Sequence, residues 1–403
     1  NRLAYGMPES VGINSAKLDK IDSLAQLAVN EEMTPGVQML VARRGKVIYQ
    51  KNFGYHTYEK ELPVTDSTIY DLASLTKIMA TLPLVMELEE IEKIGLDTKL
   101  KEILPETKGS NKANITLKEM LSHYARLKAW IPFYSATLAE DRTHASAKYY
   151  RSETSDLFNV PVSEKFYMRK DYQDSIYQEI IDSDLRTKKE YKYSDLPYYL
   201  LKRFIEYYYE RPLSELTQQH FYEHLGANYL GYLPTEKFPL DQIAPTEVDD
   251  YWRFNKIQGT VHDQGAAMFG GVGGHAGVFS NANDVAKMMQ MYLNNGRYGG
   301  VKYFKSETID KFNTCYYCDK EVRRGVGFDK PQLDEVGPTC GCVSMTSFGH
   351  SGFTGTFAWA DPEEEIVYIF LSNRTFPFAS NRKLISEDIR TKIQELIYES
   401  IMY

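Results

Sequence analysis

Long apolar runs are missing from this chain. No stretch of its 403 residues approaches the ~20 consecutive apolar positions that a membrane helix needs, so no membrane span is expected. Runs of lysine or arginine are missing too, and the net charge is −8, which excludes an ordinary nucleic-acid-binding surface. There is no Walker sequence and no His-Glu-x-x-His, so neither phosphate cradling nor that form of zinc peptidase chemistry is indicated. Gly349-His350-Ser351-Gly352-Phe353 misses Gly-x-Ser-x-Gly at its fifth position. Gly271-Val272-Gly273-Gly274-His275-Ala276 imitates a nucleotide fingerprint, but it lacks a preceding strand and a following acidic partner and reads as a tight loop. Cysteine is scarce. The four residues form two close pairs, Cys315/Cys318 and Cys340/Cys342. Thiols or disulfides are the first reading of these pairs and a structural zinc site the second. No cofactor is called for. What remains is an ordinary globular balance, 43% hydrophobic and 25% charged, long enough for two domains or one large mixed fold.

Against that background one segment carries chemistry. Ser74-Leu75-Thr76-Lys77 opens a strongly apolar run, Ile78 to Met86. A serine hydroxyl is a weak nucleophile until a base takes its proton. A lysine three residues on, along a helix, lies on the same face and within reach. Burial there disfavours the ammonium and predicts a neutral amine that can act as the base. The spacing by itself arises by chance about once in a chain of this size. A second match, Ser380 to Lys383, follows an irregular proline-containing segment and precedes a polar helix, so it is set aside.

Two other clusters add to Ser74. Tyr193 lies just before a helix start, in Tyr191-Lys192-Tyr193-Ser194-Asp195, where its phenol can face a neighbouring site. Gly349 to Thr356 leads into a strand at Phe357 to Ala360, and glycines on an edge strand suit an oxyanion hole of N–H groups. Each has a plain alternative. Tyr193 is one of 31 tyrosines, most of which must be packing residues. His350 can be an ordinary hydrogen-bonded histidine beside a turn.

Taken together and in order, Ser74-x-x-Lys77, Tyr193-Ser194-Asp195 and His350-Ser351-Gly352 resemble the motif set of the serine beta-lactamase and penicillin-binding-protein superfamily. The nearer likeness is to the branch of class C beta-lactamases, DD-peptidases and related esterases. Ile115 to His123 and Gly273 to Ser280 look like the same branch, and the likeness runs from about Gly12 to the last helix. It implies a bacterial, periplasmic or otherwise extracytoplasmic serine hydrolase with a small-molecule or peptide substrate. By the same resemblance Ser74 is the nucleophile and Lys77 with Tyr193 moves the proton. The backbone N–H groups of Ser74 and Phe353 form the oxyanion hole, and His350 orients a substrate carboxylate or the tyrosine. Asp195, Ser351 and Gly352 border the substrate. Similar modules follow a glycoside hydrolase domain in some bacterial proteins. The start at Asn1, without a methionine or a signal peptide, suits a mature product or part of something longer.

Two departures bear on the substrate. Asp195 stands where relatives have asparagine, and an ionised carboxylate only accepts hydrogen bonds. His350 stands where a lysine is usual, and a histidine is largely uncharged at neutral pH. Both weaken the hold on a carboxylate-bearing substrate. They favour an esterase or peptidase-like hydrolase over a true beta-lactamase; a DD-peptidase or D-aminopeptidase stays open, and the same two residues keep open a silent binding module of the same fold. Tyr124-Ala125-Arg126-Leu127, where relatives tend to have Thr-Ser-Gly-Leu, is a further oddity without a reading.

The apolar periods predict an α+β (mixed α/β) fold. Residues 1–62 and 296–403 supply an antiparallel sheet with amino- and carboxy-terminal helices, the first over 14–30 and the last over 384–401. Hairpins are expected around Arg44-Gly45-Lys46 and Asp361 to Glu364. Residues 63–295 read as a mostly helical subdomain carrying the nucleophile. Within it, 128–190 is long, polar and aromatic-rich, either a lid or wall over the cleft that sets substrate choice or a surface insertion with its own small cluster.

Overall fold

The computed structural model describes residues 1–403. Its sheet is built from chain segments at both ends. Strands β1 (Ala4–Tyr5), β2 (Gly36–Arg43), β3 (Lys46–Gly54), β4 (Phe348–Ser351), β5 (Phe357–Asp361) and β6 (Ile366–Ser372) lie in the order β1-β3-β2-β6-β5-β4. Only the β1–β3 pair is parallel. Arg44 and Gly45 both take positive φ, as a two-residue hairpin turn matching the strand twist requires. The β5–β6 turn closes through Asp361, whose Oδ1 accepts the Glu363 N–H at 3.1 Å.

Every residue of β2 is buried, because the sheet is covered on both faces. Val37, Met39, Val41, Trp359 and Phe370 face the terminal helices α1 (Ile21–Asn30) and α5 (Ile389–Glu399), meeting Ile21, Ala25, Ile393 and Ile397. Leu40, Ala42, Ala358, Val367 and Ile369 face the other way, into the large core shared with the helical middle of the chain. Buried Gln38 is fully used: its amide donates to Thr65 O and Thr68 O and accepts from Ala282 N. The expected terminal helices are each interrupted. At the amino end, Ser15–Leu18 is followed by a tight turn in which Asp22 and Ser23 bond back three residues. At the carboxyl end, Asp388 takes φ 52° and separates Lys383–Ser386 from α5.

The middle contributes α2 (Leu82–Glu90), α3 (Leu196–Tyr209) and α4 (Ala282–Leu293), the last capped by Asn281 and lying under the sheet. Residues 128–190 do not form a small cluster of their own. They fold into a three-stranded sheet and a helix, Tyr172–Asp182, whose Tyr150, Val160, Met168 and Ile176 belong to the main core. The cysteines are joined as two disulfides, Cys315–Cys318 and Cys340–Cys342, so in this form no thiolate is free for zinc. Gly271 to Ala276 is a loop, as its composition predicts. No helix is long and apolar enough to cross a membrane.

Candidate active site

Ser74 does not open a regular α-helix. Ala73–Leu75 is a 3₁₀ turn, Lys77–Thr81 is a wide π turn, and α2 proper begins at Leu82. The cause is in the sequence. Pro83 has no N–H, so the carbonyl of Met79 loses its ordinary helical donor. Tyr222 OH donates to Met79 O at 2.7 Å, and Tyr292 OH to Ile78 O at 2.6 Å. Two buried phenols thus satisfy backbone that an α-helix would have satisfied itself. Ahead of the serine, Ala73 sits at φ 48°, a costly conformation for a residue with a Cβ. It is held by Asp71, whose Oδ1 accepts Ala73 N–H at 2.8 Å while Oδ2 accepts His262 N–H at 2.7 Å.

From this turn Lys77 Nζ donates to Ser74 Oγ at 2.9 Å, Tyr193 OH at 2.5 Å and Asp195 Oδ1 at 2.7 Å. Three acceptors match the three N–H bonds of an ammonium. The lysine is fully buried, and burial pushes its pKa down. The Asp195 carboxylate and the Tyr193 phenol more than offset this and hold it above the usual lysine value. The expected neutral amine is therefore corrected: the resting Lys77 is charged, because Asp195 supplies a counter-ion where an amide would not. Burial raises the Tyr193 pKa, with Lys77 pulling it back.

The edge strand β4 closes the other side. Thr354 and Thr356 hydroxyls donate to Asp71 O and Leu72 O, tying the strand end to the nucleophile turn. Gly352 is required by this approach, since a Cβ there would fall 2.1 Å from Thr356 Oγ1 and 2.6 Å from Leu72 O. The next residue, Phe353, is half exposed, and its N–H makes no hydrogen bond to the surrounding chain. His350 is buried, its ring 5.8 Å from that of Tyr193. Its Nδ1 faces Ser351 O at 2.6 Å, so that nitrogen carries the hydrogen. Burial, then Arg324 and Lys77, push the His350 pKa well below the ordinary value, so it is neutral and no substitute for a cationic lysine.

The positive charge near the tyrosine comes instead from a residue that the motifs do not mark. The buried Arg324 guanidinium stands 5.1 Å from the Tyr193 ring centre. Its Nε lies 3.3 Å from both Tyr191 OH and Asp329 Oδ1. His123 also packs against Tyr193, ring centres 4.7 Å apart, and its Nδ1 accepts Ser194 N–H at 3.0 Å. Asp329 and Arg324 come from the polar loop before β4, where no spacing rule points to them.

Ser74, Tyr193, Asp195 and Phe353 open on one cavity of about 350 Å³, also lined by Ala73, Trp130, Glu247, Tyr251, His262 and Asp263. Ser351, Gly352 and His350 do not line it. Trp130, from the 128–190 region, does. The other Ser-x-x-Lys match is elsewhere: Ser380 is exposed, and Lys383 Nζ reaches only Glu31 O at 3.3 Å.

A lysine in contact with both a serine and a tyrosine, between a helix start and the edge of an antiparallel sheet, is the arrangement of a serine hydrolase. Residues 21–388 match the Beta-lactamase family model, and the chain belongs to that family, whose members are serine hydrolases. A protein of Salmonella typhimurium named as a D-alanyl-D-alanine carboxypeptidase is 28% identical over 410 residues, covering 95% of this chain and 88% of the relative. EstCE1, described as a hydrolase with promiscuous acyltransferase activity, shares the fold with a TM-score of 0.68 at 20% identity, over 95% of this chain and 99% of its own. A penicillin-binding-protein homologue from Caulobacter crescentus does so with a TM-score of 0.68 at 17% identity, over 96% and 99%.

Proposed function

We propose that this protein cleaves an ester or amide bond through an acyl-enzyme on Ser74, as an esterase or peptidase-like hydrolase. The observation that carries it is the triple contact of Lys77 Nζ with Ser74 Oγ, Tyr193 OH and Asp195 Oδ1. With the Lys77–Tyr193 pair one proton short of its resting state, Ser74 Oγ attacks the carbonyl carbon and its proton passes to that pair. The same proton leaves with the departing alcohol or amine. Water then attacks the acyl group, and its proton returns to Ser74 by the reverse path. The N–H groups of Ser74 and Phe353 receive the oxyanion. Neutral His350 orients the tyrosine rather than a carboxylate.

The neutral His350 and the carboxylate of Asp195 weigh against substrates anchored by their own carboxylate, and so against a beta-lactamase. The DD-carboxypeptidase reading draws support from the name of the Salmonella typhimurium relative. The two disulfides suit an oxidising, extracytoplasmic compartment. Intact mass after a fluorophosphonate and after a penicillin separates these readings. Labelling by the first alone supports the esterase or peptidase, stable labelling by both a penicillin-binding enzyme, and labelling by neither a silent binding module.

A further inference from the structure

The two N–H groups of the oxyanion hole come from distant parts of the chain, Ser74 from the nucleophile turn and Phe353 from the turn after β4. Neither has a hydrogen-bond partner within the chain. Their spacing therefore depends on what joins the two segments. Asp71 is 1% exposed and reaches both. Towards Ser74, its Oδ1 accepts the Ala73 N–H at 2.8 Å, with Ala73 at φ 48°. The planar peptide between Ala73 and Ser74 carries the Ser74 N–H, so the backbone angles of Ala73 set where that N–H points. Without the bond, a residue with a Cβ would relax from this conformation to a negative φ.

Towards Phe353 there are two further ties. The Asp71 carbonyl oxygen accepts the Thr354 hydroxyl at 2.8 Å, fixing the residue next to Phe353. Asp71 Oδ2 accepts the His262 N–H at 2.7 Å, and the His262 ring stacks on the Phe353 ring, centres 5.6 Å apart at 23°. His262 has little freedom of its own. Arg253, paired with buried Asp249 at 3.1 Å, donates to His262 O at 2.7 Å, and His262 Nε2 lies 3.0 Å from Glu247 Oε2. The Arg374 guanidinium, 4.6 Å from the Phe353 ring centre, adds a cation–π contact. Burial raises the Asp71 pKa, with the His262 and Ala73 N–H groups pulling it back. A carboxylate offers two acceptor oxygens to these two N–H groups, whereas an amide in its place offers one.

We propose that Asp71 is the positioning residue of the oxyanion hole, setting the spacing of the Ser74 and Phe353 N–H groups through Ala73 on one side and through Thr354 and His262 on the other. Asp71 itself does not line the cavity, so it acts only through the residues that it holds. A developing oxyanion gains from both donors only when they point at one place. A small misplacement forfeits stabilisation of the transition state and leaves ground-state binding nearly intact. The inference rests on the acyl-enzyme reading above and assigns a residue within that site.

The test compares p-nitrophenyl acetate with its thiono analogue, in which sulfur replaces the carbonyl oxygen. Sulfur is larger and a weaker acceptor, so an intact hole rejects it. The native chain is expected to prefer the oxygen ester by at least about a hundredfold in kcat/KM. Asp71→Asn and Thr354→Val should each slow maximal burst-phase acylation by at least about tenfold, with the half-saturating ester concentration changed by less than about twofold. The oxygen preference should fall by a similar factor, because the thiono ester has little stabilisation left to lose. Thr354→Ser, which keeps the hydroxyl, should keep both rate and preference. If variants that fold by thermal melts retain the native oxygen preference, whatever their rate, Asp71 is a structural residue only; the proposal is overturned and the hydrolase reading stands. A native chain without an oxygen preference overturns it too. No turnover and no fluorophosphonate label on Ser74 would overturn both. Should Asp71→Asn fail to fold, the Thr354 pair decides.

Discussion

Asp195 Oδ1 stands 2.7 Å from Lys77 Nζ and holds the buried lysine in its charged form. That ion pair sets the proton inventory of the site. Base catalysis needs the cluster to lose one proton, and the counter-ion makes this harder.

Asp195→Asn should therefore move the rising limb of the kcat/KM–pH profile to lower pH. Without the carboxylate, burial dominates at Lys77 and its pKa falls, by about one unit or more. More of the enzyme is then deprotonated near neutrality. A pH profile on an activated neutral ester checks this. An unchanged limb would show that Lys77 does not govern the titration.

Lys77→Ala and Tyr193→Phe should each slow acylation by about 10²–10⁴-fold, the usual contribution of a positioned proton carrier. The double variant should be little worse than either single one, since both groups act in one cluster. Burst kinetics on an activated ester measures this. Additive losses would separate their roles.

Gly352→Ala should cost about 1–3 kcal/mol, because its Cβ would overlap Thr356 Oγ1 and Leu72 O. Since Leu72 precedes the nucleophile turn, labelling of Ser74 should also slow. Thermal melts together with labelling rates test both effects. Normal labelling in a destabilised variant would mean that strand and turn are not coupled.

His123 and His350 are buried and neutral, each with a pKa well below the ordinary 6.5, through burial first and Arg324 next. In the unfolded chain both bind protons below about pH 6.5. Stability from their neutral burial is present above that pH and lost as pH falls. The slope between pH 6 and 5 should be up to about 1.4 kcal/mol per pH unit for each histidine. His350→Asn should remove one such increment in denaturant titrations. An unchanged slope would mean that His350 is protonated in the fold.

Much of this was legible in the sequence, for reasons particular to each element. The strand runs 37–41 and 366–372 are apolar and short, and Arg44-Gly45 marks its turn chemically, so the sheet could be read locally. Ser74, Lys77, Tyr193 and Phe353 were legible through the motifs, and the structure brings Ser74, Tyr193 and Phe353 to one cavity with Lys77 buried in contact with the first two. The kind of helix at Ser74 was not, because it depends on Tyr222 and Tyr292 reaching its carbonyls from distant segments. Nor was the charge of Lys77, since burial and ion pairing oppose each other and only distance decides between them. Arg324, Asp329 and Glu247 lie in segments without period or motif, and they gain meaning only from what they face.

The most direct test of the acyl-enzyme account is intact mass spectrometry after fluorophosphonate treatment, with Ser74→Ala alongside. One adduct on the native chain, mapped to Ser74 and absent from the variant, is the predicted result. An unmodified native chain, or an adduct that survives in Ser74→Ala, would contradict it.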